Sequence, residues 1–545
     1  MTYKAPLADI QRTLEASGIA DIRLLPAFEN AGANVVTSIL EEAAKLAENV
    51  IAPLNRIGDK QPAKLVDGKV TVPPGWPNAW AELAKGGWVG LSADADYGGM
   101  AMPELLGLAV SEIWNSANLA FALCPLLTQG AAYAISLYGS EEQKTRLLPP
   151  MNEGRWTGTM NLTEPQAGSD LAALRTSATP DGTQYRIKGQ KIYITYGDHE
   201  MTENIVHLVL ARLPDAPLGV KGISLFVVQK FHDGKRNTVQ AASLEHKLGI
   251  HGSPTAVMIY DNAVGELIGQ PHRGLQYMFA MMNHARLDVG VQGLAVAERG
   301  FQMALAYARE RVQGKPVGFL GDDKAAIIHH PDVHRLLASM KARIAAMRGL
   351  LYEVAAARDV AHAHPDSAAR IAAQFKVDLL TPIAKGWCTE IGNEVVYDAV
   401  QVFGGMGFIE DTGIAQVFRD ARILPIYEGT TAIQANALLG RSVLRDKGEN
   451  LLAYLKTFGN AAGVSDLVAS AQWIIAASAK DQRLAYAASV SFLHQFGTVL
   501  GAIAVQRQGG NVAAVYDAQI MPRTLSLHAQ IVNGTQALYA QDFWA

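Results

Sequence analysis

Apolar residues along this chain recur with two different periods, and the period changes twice. Up to about residue 158 they step at helical spacing through Ala-, Leu- and Glu-rich stretches such as 36–47 and 103–136. Pro73-Pro74-Gly75 and Gly98-Gly99 punctuate that region. From about 159 to 270 the texture is that of strands. Val206, Leu208 and Leu210 lie in one apolar run, Ile223, Leu225 and Val227 in another, and Ile192 alternates with Ile194. No helical pattern intervenes, which predicts a small antiparallel sheet or barrel. After Arg286 the helical period returns. Val291, Leu294, Ala297, Phe301 and Leu305 form one stripe; Val333, Leu337, Met340, Ile344, Met347, Leu351 and Val354 form another. Long antiparallel helices reaching to about 445 predict a bundle.

The expected fold is therefore mostly α with a central β-domain, in four parts: a helical domain over 1–158, a β-domain over 159–271, a helix bundle over 272–445 and an additional helical domain over 446–545. The last part is alanine-rich and less clearly patterned.

Composition narrows the chemistry by exclusion. With 545 residues, 49% of them hydrophobic and 18% charged, burial is ample and several domains are expected. A formal net charge of -4 gives no basic footprint for nucleic acid or an anionic membrane surface. The two cysteines, Cys124 and Cys388, form no CxxC pair, so neither a disulfide framework nor a cysteine zinc site is expected. The start lacks the design of a secretory signal, and a cytoplasmic location is the expectation. Polar residues interrupt the most apolar stretch, 105–137, which reads as buried helix rather than a membrane span. Fingerprints of a Rossmann site, a P-loop, a nucleophile elbow and a zincin are all missing. His329, His330 and His334 cluster locally, but no carboxylate or cysteine set completes a ligand shell, so no metal is expected.

Three segments carry candidate chemistry. Residues 162–170, Leu-Thr-Glu-Pro-Gln-Ala-Gly-Ser-Asp, form a loop where helix gives way to strand. Thr163, Ser169 and exposed backbone there suit the edge of a polar ring or a phosphate, and also suit a plain surface turn. Gln401-Val-Phe-Gly404-Gly405-Met-Gly-Phe places three glycines in four positions after a helix. A helix C-cap needs only one; three permit close approach of a ligand. Arg422-Ile-Leu-Pro-Ile-Tyr-Glu428-Gly429-Thr430-Thr431 puts a carboxylate after an apolar run and just before a helix. Apolar surroundings would raise its pKa and suit it as a general base. A glutamate complementing a helix dipole is the competing reading.

Together with Lys188-Gly-Gln-Lys-Ile-Tyr-Ile-Thr195, and in this order, these segments resemble the acyl-CoA dehydrogenase family over about residues 30 to 445. The style of the sequence is similar to its larger bacterial subgroup, which includes methylthiopropionyl-CoA dehydrogenase. The resemblance implies a helical domain, a small β-domain and a four-helix bundle, with FAD held between them and across a subunit boundary of a homodimer. It implies that Leu162, Thr163, Gly168 and Ser169 touch the flavin ring, with Ser169 also on the acyl-CoA. Tyr193 and Thr195 match the family's flavin-flanking Trp-x-Thr. Arg311 matches an arginine on the neighbour's FAD phosphate, and Gln401, Gly404 and Gly405 match a segment packed on the neighbour's FAD. Thr430 is a further FAD contact, Asn283 and Arg286 lie near the CoA moiety, and Gly429 lies at the substrate. Glu428 matches the base that removes the α-proton, giving a trans-2-enoyl-CoA as hydride passes to flavin N5. An electron-transferring flavoprotein would then take the electrons. Two departures stand out: Ala432 replaces a polar cofactor contact, and Arg311-Val-Gln-Gly is a shortened form of the family's motif. An acyl-CoA oxidase on the same fold, and a DNA-binding relative with weak dehydrogenase activity, are the alternatives.

Overall fold

The apolar periodicities resolve into helices and strands in a computed structural model that describes residues 2–321 and 324–540. In the N-terminal region the stretch read as one helical segment over 103–136 is two helices, Glu104–Ala117 and Leu119–Tyr138. The break is at Asn118, whose extended backbone ends one helix while its side chain accepts from Phe121 N–H and caps the next. Helix Leu119–Tyr138 is long and apolar enough to cross a membrane by length and composition, yet 83% of its apolar 18-residue stretch is buried inside the protein.

Strands run from Trp156–Asn161 to Thr255–Ile268 and build a seven-stranded sheet. Most pairings are antiparallel, as the alternation predicts, but Trp156–Asn161 pairs in parallel with Asn204–Arg212, in register Trp156↔Asn204. The expectation of an all-antiparallel sheet is corrected here. Between these strands the chain makes the 162–176 loop and the antiparallel pair Ser177–Asp181 and Gln184–Thr195, and so returns in its original direction. That crossover projects the loop from the end of its strand, beside Gln184–Thr195.

Three helices of 33 to 37 residues, Gly274–Glu310, Pro331–Ala363 and Ser367–Phe403, form the bundle. The first and third approach to backbone contact: a Cβ on Gly293 would lie 2.4 Å from the Cys388 carbonyl oxygen. Beyond 445, helices such as Val464–Lys480 and Ser489–Gln508 share their buried residues with the bundle core. Gly386 and Gly497 permit this. A Cβ on the first would meet Leu493 at 2.9 Å, and one on the second would meet Trp387 at 2.3 Å. The C-terminal helices thereby lie over the Lys385–Trp387 turn of the third bundle helix.

Candidate active site

The segment after helix Ile414–Ala421 folds back on itself: Tyr427 N–H donates to the Ile423 carbonyl and Thr431 N–H to the Pro425 carbonyl, each at 3.1 Å. Between those bonds Glu428 has φ +55° and Gly429 φ +89°. A left-handed backbone costs a non-glycine residue about 1–2 kcal/mol, so the turn must be held from outside. Gln434 Nε2 reaches the Glu428 carbonyl at 3.1 Å and the Gly429 carbonyl at 3.4 Å. Lys385 Nζ donates to the Gly429 carbonyl at 2.6 Å. Thr430 caps helix Thr431–Leu438, its side chain accepting from Ile433 N–H. Glu428 therefore stands two residues ahead of the cap, outside the first helical turn. Among the described residues its own N–H meets no acceptor.

The charges around this turn oppose one another. Glu428 is half-buried, and burial pushes its carboxyl above the ordinary glutamate range against the pull of Arg286 and Lys385. Burial brings Lys385 down to about 7, with Glu428 pulling it up and Arg286 pushing it further down. Arg286, buried, donates to Asn283 Oδ1 at 3.0 Å. Arg286 and Arg441 both lie against the Phe279 ring, their guanidinium carbons 5.9 and 5.8 Å from its centroid. Tyr427 donates its hydroxyl to Gln292 Oε1. Arg286 Nε, Gln292 Nε2 and Gln434 Oε1 are buried and meet no partner among the described residues. A cavity of 1440 Å³ opens between the N-terminal helices and the bundle, with Trp88, Trp114 and Leu126 on one wall and Asn283, Arg286 and Arg441 on the other.

The loop over 162–170 and the end of strand Gln184–Thr195 are brought together. Ile192 N–H donates to the Thr163 carbonyl at 2.9 Å, and Lys191 Nζ to the Leu162 carbonyl at 3.0 Å. Leu162 is buried, Thr163 and Thr195 are half-buried, and Gly168 and Ser169 are exposed. Tyr193 stands out from the strand with φ +61° and 60% of its surface exposed. A separate group forms at the other end of the bundle. Tyr307 stacks on Phe403 with centroids 4.3 Å apart, which sets Arg311, one turn beyond the first ring, near Gln401, Gly404 and Gly405 beside the second. Arg311 opens a loop that is pinned at its base: Val312 bridges to Ala326 and Gln313 N–H donates to the Ala325 carbonyl. All four residues are exposed, and Phe408, close by in sequence, is 90% exposed. The structure thus gathers the candidates into three groups: Glu428–Thr430 with Asn283 and Arg286, the 162–170 loop with Tyr193 and Thr195, and Arg311 with Gln401, Gly404 and Gly405. Lys385, Gln434, Gln292 and Arg441 belong to the Glu428 neighbourhood and went unnoticed in the sequence.

Three family models match consecutive parts of the chain: the acyl-CoA dehydrogenase N-terminal domain over 37–155, the middle domain over 159–263 and the C-terminal domain over 272–443. The 3-methylmercaptopropionyl-CoA dehydrogenase of Ruegeria pomeroyi is 46% identical over 99% of this chain and 94% of its own length. Among solved structures, butyryl-CoA dehydrogenase from Megasphaera elsdenii aligns with a TM-score of 0.62 at 26% identity, over 74% of this chain and 97% of that one. An acyl-CoA dehydrogenase from Bacillus anthracis complexed with FAD shares the fold over 94% of this chain and 90% of its own, with a TM-score of 0.75 at 22% identity. The chain belongs to the acyl-CoA dehydrogenase family.

Proposed function

We propose that this enzyme removes the α-proton of an acyl-CoA thioester with Glu428 and so produces a trans-2-enoyl-CoA. The observation that carries the reading is the Glu428 turn. A carboxylate raised in pKa by burial lies within electrostatic reach of Arg286, which lines a 1440 Å³ cavity, on a backbone held in the left-handed region. A base raised toward the working pH abstracts a carbon-bound proton better than an ordinary glutamate does. The Glu428 N–H offers one hydrogen bond to the thioester carbonyl, where negative charge develops as the proton leaves. Asn283 and Arg286 line the cavity where the CoA arm would enter, and the apolar walls around Trp114 and Leu126 keep water from the developing carbanion.

FAD is the cofactor of the family, and the residues present fit it. Tyr193 offers an exposed aromatic face, with the Thr163 loop and Thr195 beside it. Gly168 stands in open space, where a Cβ would meet nothing within 4 Å. Leu162, Thr163, Gly168, Ser169, Tyr193, Thr195 and Thr430 would hold its flavin end. When bound, FAD supplies the acceptor for the β-hydride and a ribityl hydroxyl as the second hydrogen bond to the thioester carbonyl. Arg286 lies on helix Gly274–Glu310 and Arg311 follows its last residue, about 38 Å along the axis at 1.5 Å per residue. The set at Arg311, Gln401, Gly404 and Gly405 therefore serves a neighbouring subunit's cofactor in a homodimer, and an electron-transferring flavoprotein takes the electrons.

The test is Glu428→Gln. Size and fold are kept, so the protein stays yellow and its flavin spectrum still shifts with acyl-CoA, while anaerobic flavin reduction falls about 10²–10⁴-fold. Reduction at the wild-type rate would remove Glu428 as the base. Sedimentation of a fully active monomer would refute the shared cofactor site.

A further inference from the structure

Lys385 takes no part in the proton abstraction described for Glu428, yet it is built into the same turn. It is fully buried, at 0% exposure, in the middle of helix Ser367–Phe403, within the apolar run Leu379-Leu-Thr-Pro-Ile-Ala-Lys-Gly-Trp-Cys388. Among the described residues its ammonium makes one hydrogen bond, to the Gly429 carbonyl 2.6 Å away. The C-terminal extension helps to shut out water, because Leu493 of helix Ser489–Gln508 packs on the adjoining Gly386. Burying an ammonium against a single carbonyl is costly, and a neutral donor could make the same bond. Gln434 already makes that kind of bond to the same carbonyl and to that of Glu428. What Lys385 adds is positive charge within electrostatic reach of the Glu428 carboxylate.

We propose that Lys385 is the positioning residue of the base: bonded to the Gly429 carbonyl, it holds the Glu428–Gly429 peptide so that the Glu428 carboxylate and N–H face the same thioester, and its charge keeps that carboxylate ionised before substrate arrives. The proposal rests on the reading of Glu428 as the base. It also gives the C-terminal helices a role, since they cover the lysine. The groups that face Lys385 are Glu428 from the turn, Arg286 from the first bundle helix and Glu390 on its own helix; His494, from the extension, faces Glu390 in turn. Glu390 also accepts from Thr431 Oγ1 at 2.6 Å, which ties the same helix to the residue after the cap. Lys385, with a folded pKa of about 7 against 10.5, is protonated more readily in the unfolded chain between those values. The fold is therefore penalised for carrying this lysine below about pH 7 and relieved as pH rises toward 10.5. A residue kept at such a penalty is a candidate for function rather than for stability.

The experiment compares Lys385→Met, Lys385→Arg and Glu428→Gln as FAD-loaded holoenzymes. Three quantities are measured: anaerobic flavin reduction by acyl-CoA against pH, the absorbance shift on binding the enoyl-CoA product, and thermal unfolding. Lys385→Met should lower the reduction rate about 10²-fold, as a misplaced reacting group does, and move the acid limb of the pH profile upward. Its product binding should be retained and its melting temperature at pH 7 unchanged or higher. Lys385→Arg, which keeps the charge, should bring the acid limb back. The proposal is overturned if Lys385→Met reduces its flavin at the wild-type rate with an unshifted profile; a dead Glu428→Gln beside it would leave the base reading intact. It is equally overturned if Lys385→Met melts well below wild type with its rate loss tracking unfolding. Normal reduction in Glu428→Gln would sink the base reading, and this proposal with it.

Discussion

Two buried lysines hold two of the segments that carry candidate site residues, and they do so by opposite means. Lys191 steadies the loop over 162–176, donating to the Leu162 carbonyl and, at 2.8 Å, to Glu164 Oε1. Glu164 is met from every side: by Arg175 N–H at 2.7 Å, by Thr176 N–H at 3.0 Å, by the Thr176 hydroxyl at 2.6 Å and by Gln166 Nε2 at 2.6 Å. Lys191 and these donors hold the Glu164 carboxyl down to about 2, and Lys191 itself stays near 8, so at neutral pH both are charged and paired. Among the described residues the Lys385 ammonium has only a carbonyl to bond. The carboxylate nearest it in function, Glu428, is pushed up rather than down. A saturated ion pair fixes a shape. A carboxylate whose cation bonds elsewhere is left ready to change its protonation state, as the base proposed at Glu428 must and a structural strut must not.

The largest effect that could break this comparison is expected at Lys191. Lys191→Met leaves Glu164 buried without its cation, and removing one partner of a buried pair costs about 3–5 kcal/mol. The variant should melt far below wild type and lose flavin, whereas Lys385→Met should do neither. If both lysines tolerate methionine equally, the distinction between strut and poised pair fails. Gly429→Ala comes next. An alanine at φ +89° is strained by about 1–2 kcal/mol, and its Cβ would lie 2.7 Å from Gln434 Nε2, the donor that holds the Glu428 carbonyl. Flavin reduction should fall by at least about tenfold, with a modest loss of stability. Unchanged reduction would mean that the turn need not be held.

Acid should also separate the two loops. A carboxylate depressed to about 2 stabilises the fold fully above its unfolded value of 4.5, and that contribution is lost as pH falls through about 2. Comparing wild type with Glu164→Gln by melting across this range should show a difference at neutral pH that closes on acidification. Glu428, with its pKa raised, behaves in reverse: its stabilising share is complete below 4.5 and disappears as pH rises through the folded value. Glu428→Gln should therefore melt no lower than wild type at neutral pH.

Much of this was legible along the chain because it depends on local pattern. The helical stripes became the helices of the bundle, and the 162–170 loop, the glycine run at 404–407 and the Glu428 turn each announced themselves by residues adjacent in sequence. What escaped depends on pairs far apart. Lys385 precedes the carbonyl it bonds by 44 residues. A lone cation in an apolar helical run was visible, but nothing along the chain says which backbone it will meet. Lys191 and Glu164, 27 residues apart, escaped in the same way. The parallel strand pair was hidden because alternation gives a strand its faces and not its direction. At Asn118 the continuous apolar run masked a cap that the asparagine alone could have signalled.

The smallest expected effect bears on whether the Glu428 turn is held from afar or by its own residues. Thr430 is exposed, and its side chain accepts from Ile433 N–H over 3.4 Å, at the long end of useful hydrogen bonds. Loss of an N-cap costs about 0.5–2 kcal/mol, and a bond this long belongs at the low end. Thr430→Ala should thus lower stability by about 0.5 kcal/mol, well short of Gly429→Ala, because Lys385 and Gln434 still grip the preceding carbonyls. Two contributions of the hydroxyl can be told apart. A cap alone would change only the melting temperature, while a cofactor contact would also weaken FAD binding, measured by fluorescence titration of the apoprotein. Thr430→Ser keeps the oxygen and should restore both. If Thr430→Ala instead costs as much stability and turnover as Gly429→Ala, the turn is held locally, and the contrast between a loop braced by its own neighbours and one braced by distant helices is lost.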